Sequence, residues 1–235
     1  MKSFINFISE ELVKDGPQLG SNEGGVYKDS ITNKKYYVKH YKNSDQAKVE
    51  ALTGKIYKHM GIHTIDPQYR EINGKPSIST EWNDKLSSVK PKEFEKLNSQ
   101  QAEHIAKMYH GAILTKNWDI VGLEHDNIMK HKDHGHMISV DHGGSFHFRA
   151  RGSHKDYGDD INEKETLKNN KDASGHVFST VLNQHPDAEK KSLDNVKRID
   201  DNHIHGLFKH SGLNNWQELH DNFKKRKYKL INSYE

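Results

Sequence analysis

A lysine, a glutamate, an asparagine and several aspartates are spaced in this chain so that together they could handle phosphate. Lys39 lies inside the β-like run Tyr36-Tyr37-Val38-Lys39-His40, not at its end, so its ammonium can turn into a cleft and meet an anion. Glu50 follows on the next helix-like segment, where its carboxylate can pair with that lysine and hold it in place. Asn127 and Asp141 flank a short hairpin-like stretch, so two hard oxygen ligands can converge on one divalent cation. Asp119, Glu124 and Asp126 precede them as carboxylates able to take a proton from an attacking hydroxyl. Ahead of all of these runs Gly20-Ser21-Asn22-Glu23-Gly24-Gly25, whose glycines would let backbone N–H groups approach an anion closely. Each feature is ordinary alone: a glycine turn before a strand, an edge-strand lysine, a surface glutamate. Their order is what points to phosphoryl transfer with bound metal.

The elements that must position these residues follow from periodicity and punctuation. Residues Met1 to Lys14 read as an amphipathic helix. Val26 to Asp29 and Lys35 to His40 read as a hairpin turning at Thr32-Asn33. A helix begins at the capping Asn43 or Ser44 and ends near Gly61, with Ala47, Ala51, Leu52, Ile56 and Tyr57 as its apolar stripe. Strands Gln68–Ile72 and Pro76–Glu81 are joined by Asn73-Gly74, the strongest short hairpin signal. A long helix spans about Ser99 to Lys116, a polar loop runs to Asp126, and strands Asn127–Lys130 and His136–Val140 follow. Beyond Asp156 the pattern is helical, near Gly175–Leu182, Asp187–Val196, Asp200–Phe208 and Trp216–Leu230. Strands early and helices late make an α+β fold. We expect one domain over 1–235, with a β-rich lobe at 1–82 and a helical lobe at 83–235. A natural lobe boundary falls at Glu81 to Lys85.

Composition removes several alternatives. There is no cysteine, so disulfides, thiolate metal sites and a cysteine nucleophile are excluded. The charge is +3, from 36 basic and 33 acidic residues, too balanced to argue for a nucleic-acid partner. No apolar run is long enough to span a membrane. The absence of cysteine fits a reducing cytoplasm, or a host cytoplasm for a phage protein or secreted effector. The basic run Lys224 to Lys227 reads as the solvated face of the last helix. The 18 histidines are unusual; His131, His134 and His136 read as solvated loop residues, because a hairpin tip is a poor scaffold for zinc.

Taken together, Lys39, Glu50, His125-Asp126-Asn127-Ile128-Met129 and Val140-Asp141-His142-Gly143 resemble the protein-kinase-like superfamily. The match is nearest to its phosphatidylinositol-kinase-like and actin-fragmin-kinase-like branch. Asn117-Trp118-Asp119 is similar to the Asn-x-Asp of HipA-like kinases, and Trp118 through Gly152 resembles kinase-like domains of phage and bacterial proteins. The resemblance covers roughly Gly20 to Gly158. It implies a bilobal fold, ATP with Mg²⁺ or Mn²⁺ as cofactors, and a protein hydroxyl as acceptor. It also implies Gly20, Ser21, Gly24, Gly25, Lys39, Glu50, Glu81 and Asn83 around the nucleotide, and Asn127 and Asp141 on the metal. The sequence departs from the pattern in two places. Five residues before Asn127, where kinases carry the catalytic aspartate, stands Gly122, so Asp119, then Asp126, is expected as base. The Phe after the metal-binding aspartate is His142, and no typical activation segment follows. A pseudokinase, an ATP-binding interaction module and a kinase-fold AMP transferase share these features. Oligomeric state is left open.

Overall fold

The computed structural model describes residues 12–19, 22–169 and 171–235. The sequence builds two sheets and seven α-helices in these residues. The first sheet has the order β1-β2-β3-β5-β4, all antiparallel: β1 (Leu12–Lys14), β2 (Gly24–Asp29), β3 (Lys35–His40), β4 (Gln68–Ile72) and β5 (Lys75–Glu81). Both hairpin readings are therefore in one sheet. Asn73 and Gly74 take the positive φ values, 55° and 72°, that a tight turn between β4 and β5 demands. The expected first helix is corrected in part. Met1 to Glu11 lie outside the described residues, and Leu12–Lys14 is a strand paired with Tyr27–Asp29, where Val13 suits an edge strand better than a helix end.

Between β3 and β4 runs α1 (Ser44–His59), capped by the Asn43 side chain accepting from Asp45 N. Its buried face serves both lobes. Ala47 and Ala51 pack on Ile78 of the sheet, while Val49, Leu52, Ile56 and Tyr57 join the main core below. After Glu81 the chain enters a region built on α2 (Ser99–Thr115), whose capping box pairs Asn98 with Gln101. The stripe Ala102, Ile105, Ala106, Tyr109, Ala112 and Ile113 is wholly buried. A second, three-stranded sheet lies beside it: β6 (Leu86–Ser88), β7 (Ile128–His131) and β8 (Met137–Ser139). The remainder is helical: α3 (Glu163–Asn169), α4 (Ala173–Gln184), α5 (Pro186–Lys197), α6 (Asp201–Lys209) and α7 (Trp216–Asn232).

The reading of the basic run as a solvated face is corrected in part by burial. Lys224 and Lys225 are exposed on α7, but Arg226 and Lys227 face inward, because the 3.6-residue period puts them on the side of Phe223 and Leu230. Arg226 is fully buried. It donates to the carbonyls of Ile113, Gly158 and Asp160 and pairs with the buried Glu163, fixing the start of α3 to α2 and α7. The histidines are also more enclosed than loop residues. His63 stacks on His136 at 4.3 Å and meets His104 edge-on at 4.4 Å, joining the loop after α1 to α2 and the β7–β8 turn. His134, at the tip of that turn, remains exposed. Among the described residues, no group of three or more His, Asp or Glu side chains is arranged to hold a metal by itself.

Candidate active site

The edge between the sheet and the helical region gathers the charged residues. Strand alternation puts Lys39 and Tyr41 on the face of β3 that α1 covers. The Lys39 ammonium sits 2.7 Å from Glu50 Oε1 on α1 and 3.1 Å from Asp141 Oδ1 after β8. Glu50 is fully buried, and Tyr41 donates its hydroxyl to the other carboxylate oxygen. The two carboxylates hold Lys39 protonated well above the usual lysine value despite its burial. Burial and the Asp141 charge push the Glu50 carboxyl upward, and Lys39 opposes them. At Asp141 burial works the same way, but Lys39 and the Gly143 N–H outweigh it and hold the carboxyl below the ordinary aspartate range.

The second half of the site is the loop after α2. Lys116 caps that helix in the left-handed region, φ 52°, and Asn117 Oδ1 then accepts from Asp119 N at 3.1 Å. The loop returns through Gly122, φ 77°, and His125, φ 63°, with Asn127 N donating to Val121 O. This brings Asn127 back onto Asp119: its Nδ2 donates to the Asp119 carbonyl at 2.7 Å and to Oδ2 at 3.3 Å. Asp119 is half-buried, and its carboxyl is raised to about 6, by burial first and by the negative charge of Asp141 second. Asp126, the other candidate base, is exposed; its Oδ1 lies over Gly122, whose φ of 77° favours glycine.

Asp141 itself has φ 56°, and Lys116, His125 and Phe146 near it are also non-glycine residues in the left-handed region. Such backbone costs on the order of 1–3 kcal/mol per residue and concentrates where geometry serves function. His142, in the place of the family's Phe, is fully buried. Its Nε2 meets Thr64 Oγ1 at 3.0 Å and Ser139 Oγ at 3.2 Å, and its ring sits edge-on to Tyr57. Burial drives its pKa down to about 3, so a neutral imidazole does the packing work of an aromatic ring.

The remaining expected site residues are placed as follows. Gly20 and Ser21 lie outside the described residues. Gly24 and Gly25 begin β2 directly across from Lys39 and Val38. A Cβ on Gly24 would stand 2.0 Å from Val38 O, so the close approach of β2 to β3 requires glycine there. Glu81 ends β5 opposite Tyr36, which alternation puts on the face away from Lys39, and its carboxylate is 3.8 Å from Lys34. Asn83 Oδ1 accepts from Lys85 N. Both residues line a pocket at the turn leaving the sheet, together with Thr80, Leu86 and Ile138.

No protein-family model and no curated protein sequence matches the chain. Among solved structures it is similar to the Helicobacter pylori proinflammatory kinase CtkA, with a TM-score of 0.59 and 14% identity, covering 94% of this chain and 93% of that one. The fold is kinase-like. Choline kinase LicA from Streptococcus pneumoniae is similar at a TM-score of 0.42 and 12% identity, over 95% of both chains, a level from which we argue nothing.

Within this kinase-like fold, three contributors escaped the sequence reading. Tyr41 had a signal, since it lies two residues beyond Lys39 on the same strand face. Gln46 and Lys155 had none. Gln46 donates from α1 to the carbonyls of Gly143, Arg149 and Ala150 at 3.2–3.4 Å. Lys155, buried, donates to Lys116 O at 2.5 Å and Gly144 O at 2.6 Å, tying the loop after α2 to the loop after Asp141. In chemical terms the site offers an ammonium fixed by two carboxylates, and a carboxyl raised to about 6 and bonded to an amide. Asn127 and Asp141 carry hard oxygen donors of the kind that suits Mg²⁺ or Mn²⁺.

Proposed function

We propose that the chain is an ATP-dependent phosphotransferase of the atypical kinase type that acts on a protein hydroxyl. The observation that carries this reading is the Lys39 ammonium held between Glu50 and Asp141, with Asp119 and Asn127 bonded to each other beside it. Asp141 and Asn127 would hold the divalent cation, which neutralises charge on the phosphates as it develops. One or two carboxylates suffice, because Mg²⁺ takes its remaining ligands from phosphate and water. Lys39 binds phosphate oxygens, and Glu50 with Tyr41 keeps it aimed. The glycines at the start of β2 let the loop before them lie close over the nucleotide.

In the transfer step the acceptor oxygen forms a bond to the γ-phosphorus as the bond to the β,γ-bridging oxygen breaks and ADP leaves. The acceptor's proton passes to Asp119. Asn127 orients that carboxylate through its Nδ2, and the raised pKa of Asp119 matches it to proton transfer near neutral pH.

The test is transfer of labelled γ-phosphate to protein acceptors, followed across pH. A base with a pKa of about 6 must be deprotonated to work, so the rate should fall as pH drops through 6 and level off above 7. Asp119→Asn should lose about 10²–10⁴-fold and lose that pH limb with it. An Asp126→Asn variant that loses more than Asp119→Asn would transfer the base role to Asp126.

A further inference from the structure

The segment between Asp141 and α3 is short, and it is pinned. Phe148 and His154 form an antiparallel bridge, Arg149 N donates to Ser153 O at 2.7 Å, and Gly152 N returns to Arg149 O at 2.9 Å. This tight turn displays Arg149, Ala150 and Arg151 to solvent. It does not hang free, because Gln46 of α1 donates to the carbonyls of Arg149 and Ala150. A Cβ on Gly144 would stand 3.3 Å from Asp119 Cβ and 3.4 Å from Ala150 N, so the turn abuts the residue proposed as base.

Charge at this place is unbalanced. The Arg149 guanidinium lies 5.0 Å from the Trp118 ring centroid and the Lys155 ammonium 4.7 Å from it. Lys155 is bonded only to carbonyls, whereas Lys116, also over that ring, is matched by Asp160 at 3.0 Å. Among the described residues, neither Arg149 nor Arg151 has a carboxylate within ion-pair distance. Burial lowers Lys155 to about 7; the Glu163 carboxylate opposes the shift, and the like charges of Lys116, Arg149 and Arg226 add to it. Trp118, 40% exposed, precedes Asp119, and its indole N–H donates to Glu163 at 2.9 Å, which leaves the ring edge as apolar surface beside these cations.

We propose that this turn recognises an acidic acceptor peptide: Arg149 and Arg151 take carboxylates flanking the acceptor hydroxyl, and Trp118 packs against the peptide chain. The inference rests on the phosphotransferase reading for what happens to the bound hydroxyl. A nucleic acid fits less well. The unmatched cations are confined to one turn instead of a track, and Asp119, Asp141 and Asp160 border it and would repel a continuous phosphate backbone. A peptide that carries its negative charge at two or three positions meets the arginines and avoids those carboxylates.

The test is direct binding of a fluorescein-labelled peptide with one serine among glutamates and aspartates, measured by anisotropy. The comparison ligands are the same peptide with glutamine, or with lysine, at the acidic positions, and an oligothymidylate of similar charge. The acidic peptide should bind the wild-type chain at least about tenfold tighter than the glutamine peptide. Arg149→Gln with Arg151→Gln should erase that difference. Lys224→Gln with Lys225→Gln, which removes the same charge from exposed positions on α7, should not. Equal binding of acidic and glutamine peptides overturns the proposal. So does an equal loss in both double variants, or oligothymidylate binding that depends on Arg149 and Arg151. Because anisotropy needs no turnover, failure here is distinct from failure of the phosphotransferase reading, which a thermal shift with ATP and Mg²⁺ reports separately.

Discussion

Asp141→Asn is expected to remove phosphate transfer, lowering turnover by at least about 10³-fold, the upper range for losing one group aimed at developing charge. The chain should stay folded. Asparagine matches aspartate in shape and tolerates the left-handed backbone that Asp141 adopts at φ 56°, where alanine would be strained. Lys39 keeps Glu50 as its counter-ion at 2.7 Å, so no buried charge is stranded. The cost in stability should stay within about 1–2 kcal/mol. The same cannot be asked of Lys39→Ala. That change leaves Glu50 fully buried without its cation, and breaking a buried pair costs about 3–5 kcal/mol, so lost activity would be confounded with lost fold. Initial rates and a melting curve on Asp141→Asn decide the matter. Full turnover in a folded Asp141→Asn protein would end the account of the metal site.

Acid should destabilise the chain steeply as its buried histidines are forced to take up protons. Burial lowers His104 to about 3, His110 to about 4 and His142 to about 3, against 6.5 for a free imidazole. A histidine with a depressed folded pKa is neutral in the fold, so its contribution is fully present above 6.5. Below that the unfolded chain binds protons that the folded chain refuses, and stability falls until pH reaches the folded value. At pH 5 each site contributes a loss of about 2 kcal/mol, and the three together about 6 kcal/mol, comparable to the whole stability of many domains. Asp141 beside His142 and Glu189 beside His110 oppose the shift, and His63, His136 and Lys107 reinforce it at His104. The urea midpoint should therefore drop steeply between pH 7 and pH 5. A flat midpoint over that range would mean that these rings are solvated or already charged in the fold.

The histidines show where the sequence was hardest to read. His131, His134 and His136 read as solvated loop residues, whereas His110 lies inside the helix expected over Ser99 to Lys116, and nothing local in the chain marks it or His142 for burial. The fold buries His110 and His142 because a neutral, hydrogen-bonded imidazole packs as a small aromatic ring. Ser192 and the Tyr234 hydroxyl meet the two ring nitrogens of His110, and Thr64 and Ser139 meet Nε2 of His142. Those partners are distant in sequence for all but Ser139.

Elements whose signals are local were legible: the β2–β3 hairpin, the Asn73-Gly74 turn, the stripe of α2 and the capped start of α1. β6 was not, because Leu86-Ser87-Ser88 has no strand pattern of its own and exists by pairing with β7. Nor was α3, where Leu167 is the one buried hydrophobic residue in an otherwise polar stretch. The meeting of Lys39 with Glu50 could be anticipated, because a strand lysine and a glutamate nearly two turns into the next helix need only a short connection. Asp119 stands ahead of Asp126 as the expected base by its place after the helix, but its contact with Asn127 was not legible, because it depends on how Gly122 and His125 fold the loop back.

The most direct test of the central claim is a melting curve of the wild-type chain with and without millimolar ATP and Mg²⁺. A ligand bound only by the folded state at about 100 times its Kd stabilises it by about 2.7 kcal/mol. For a domain of this size that is a rise of roughly 5–10 °C. The account predicts that rise with ATP and Mg²⁺ together, a smaller one with ATP alone, and its reduction in Asp141→Asn. A melting temperature unmoved by ATP with Mg²⁺ would contradict it.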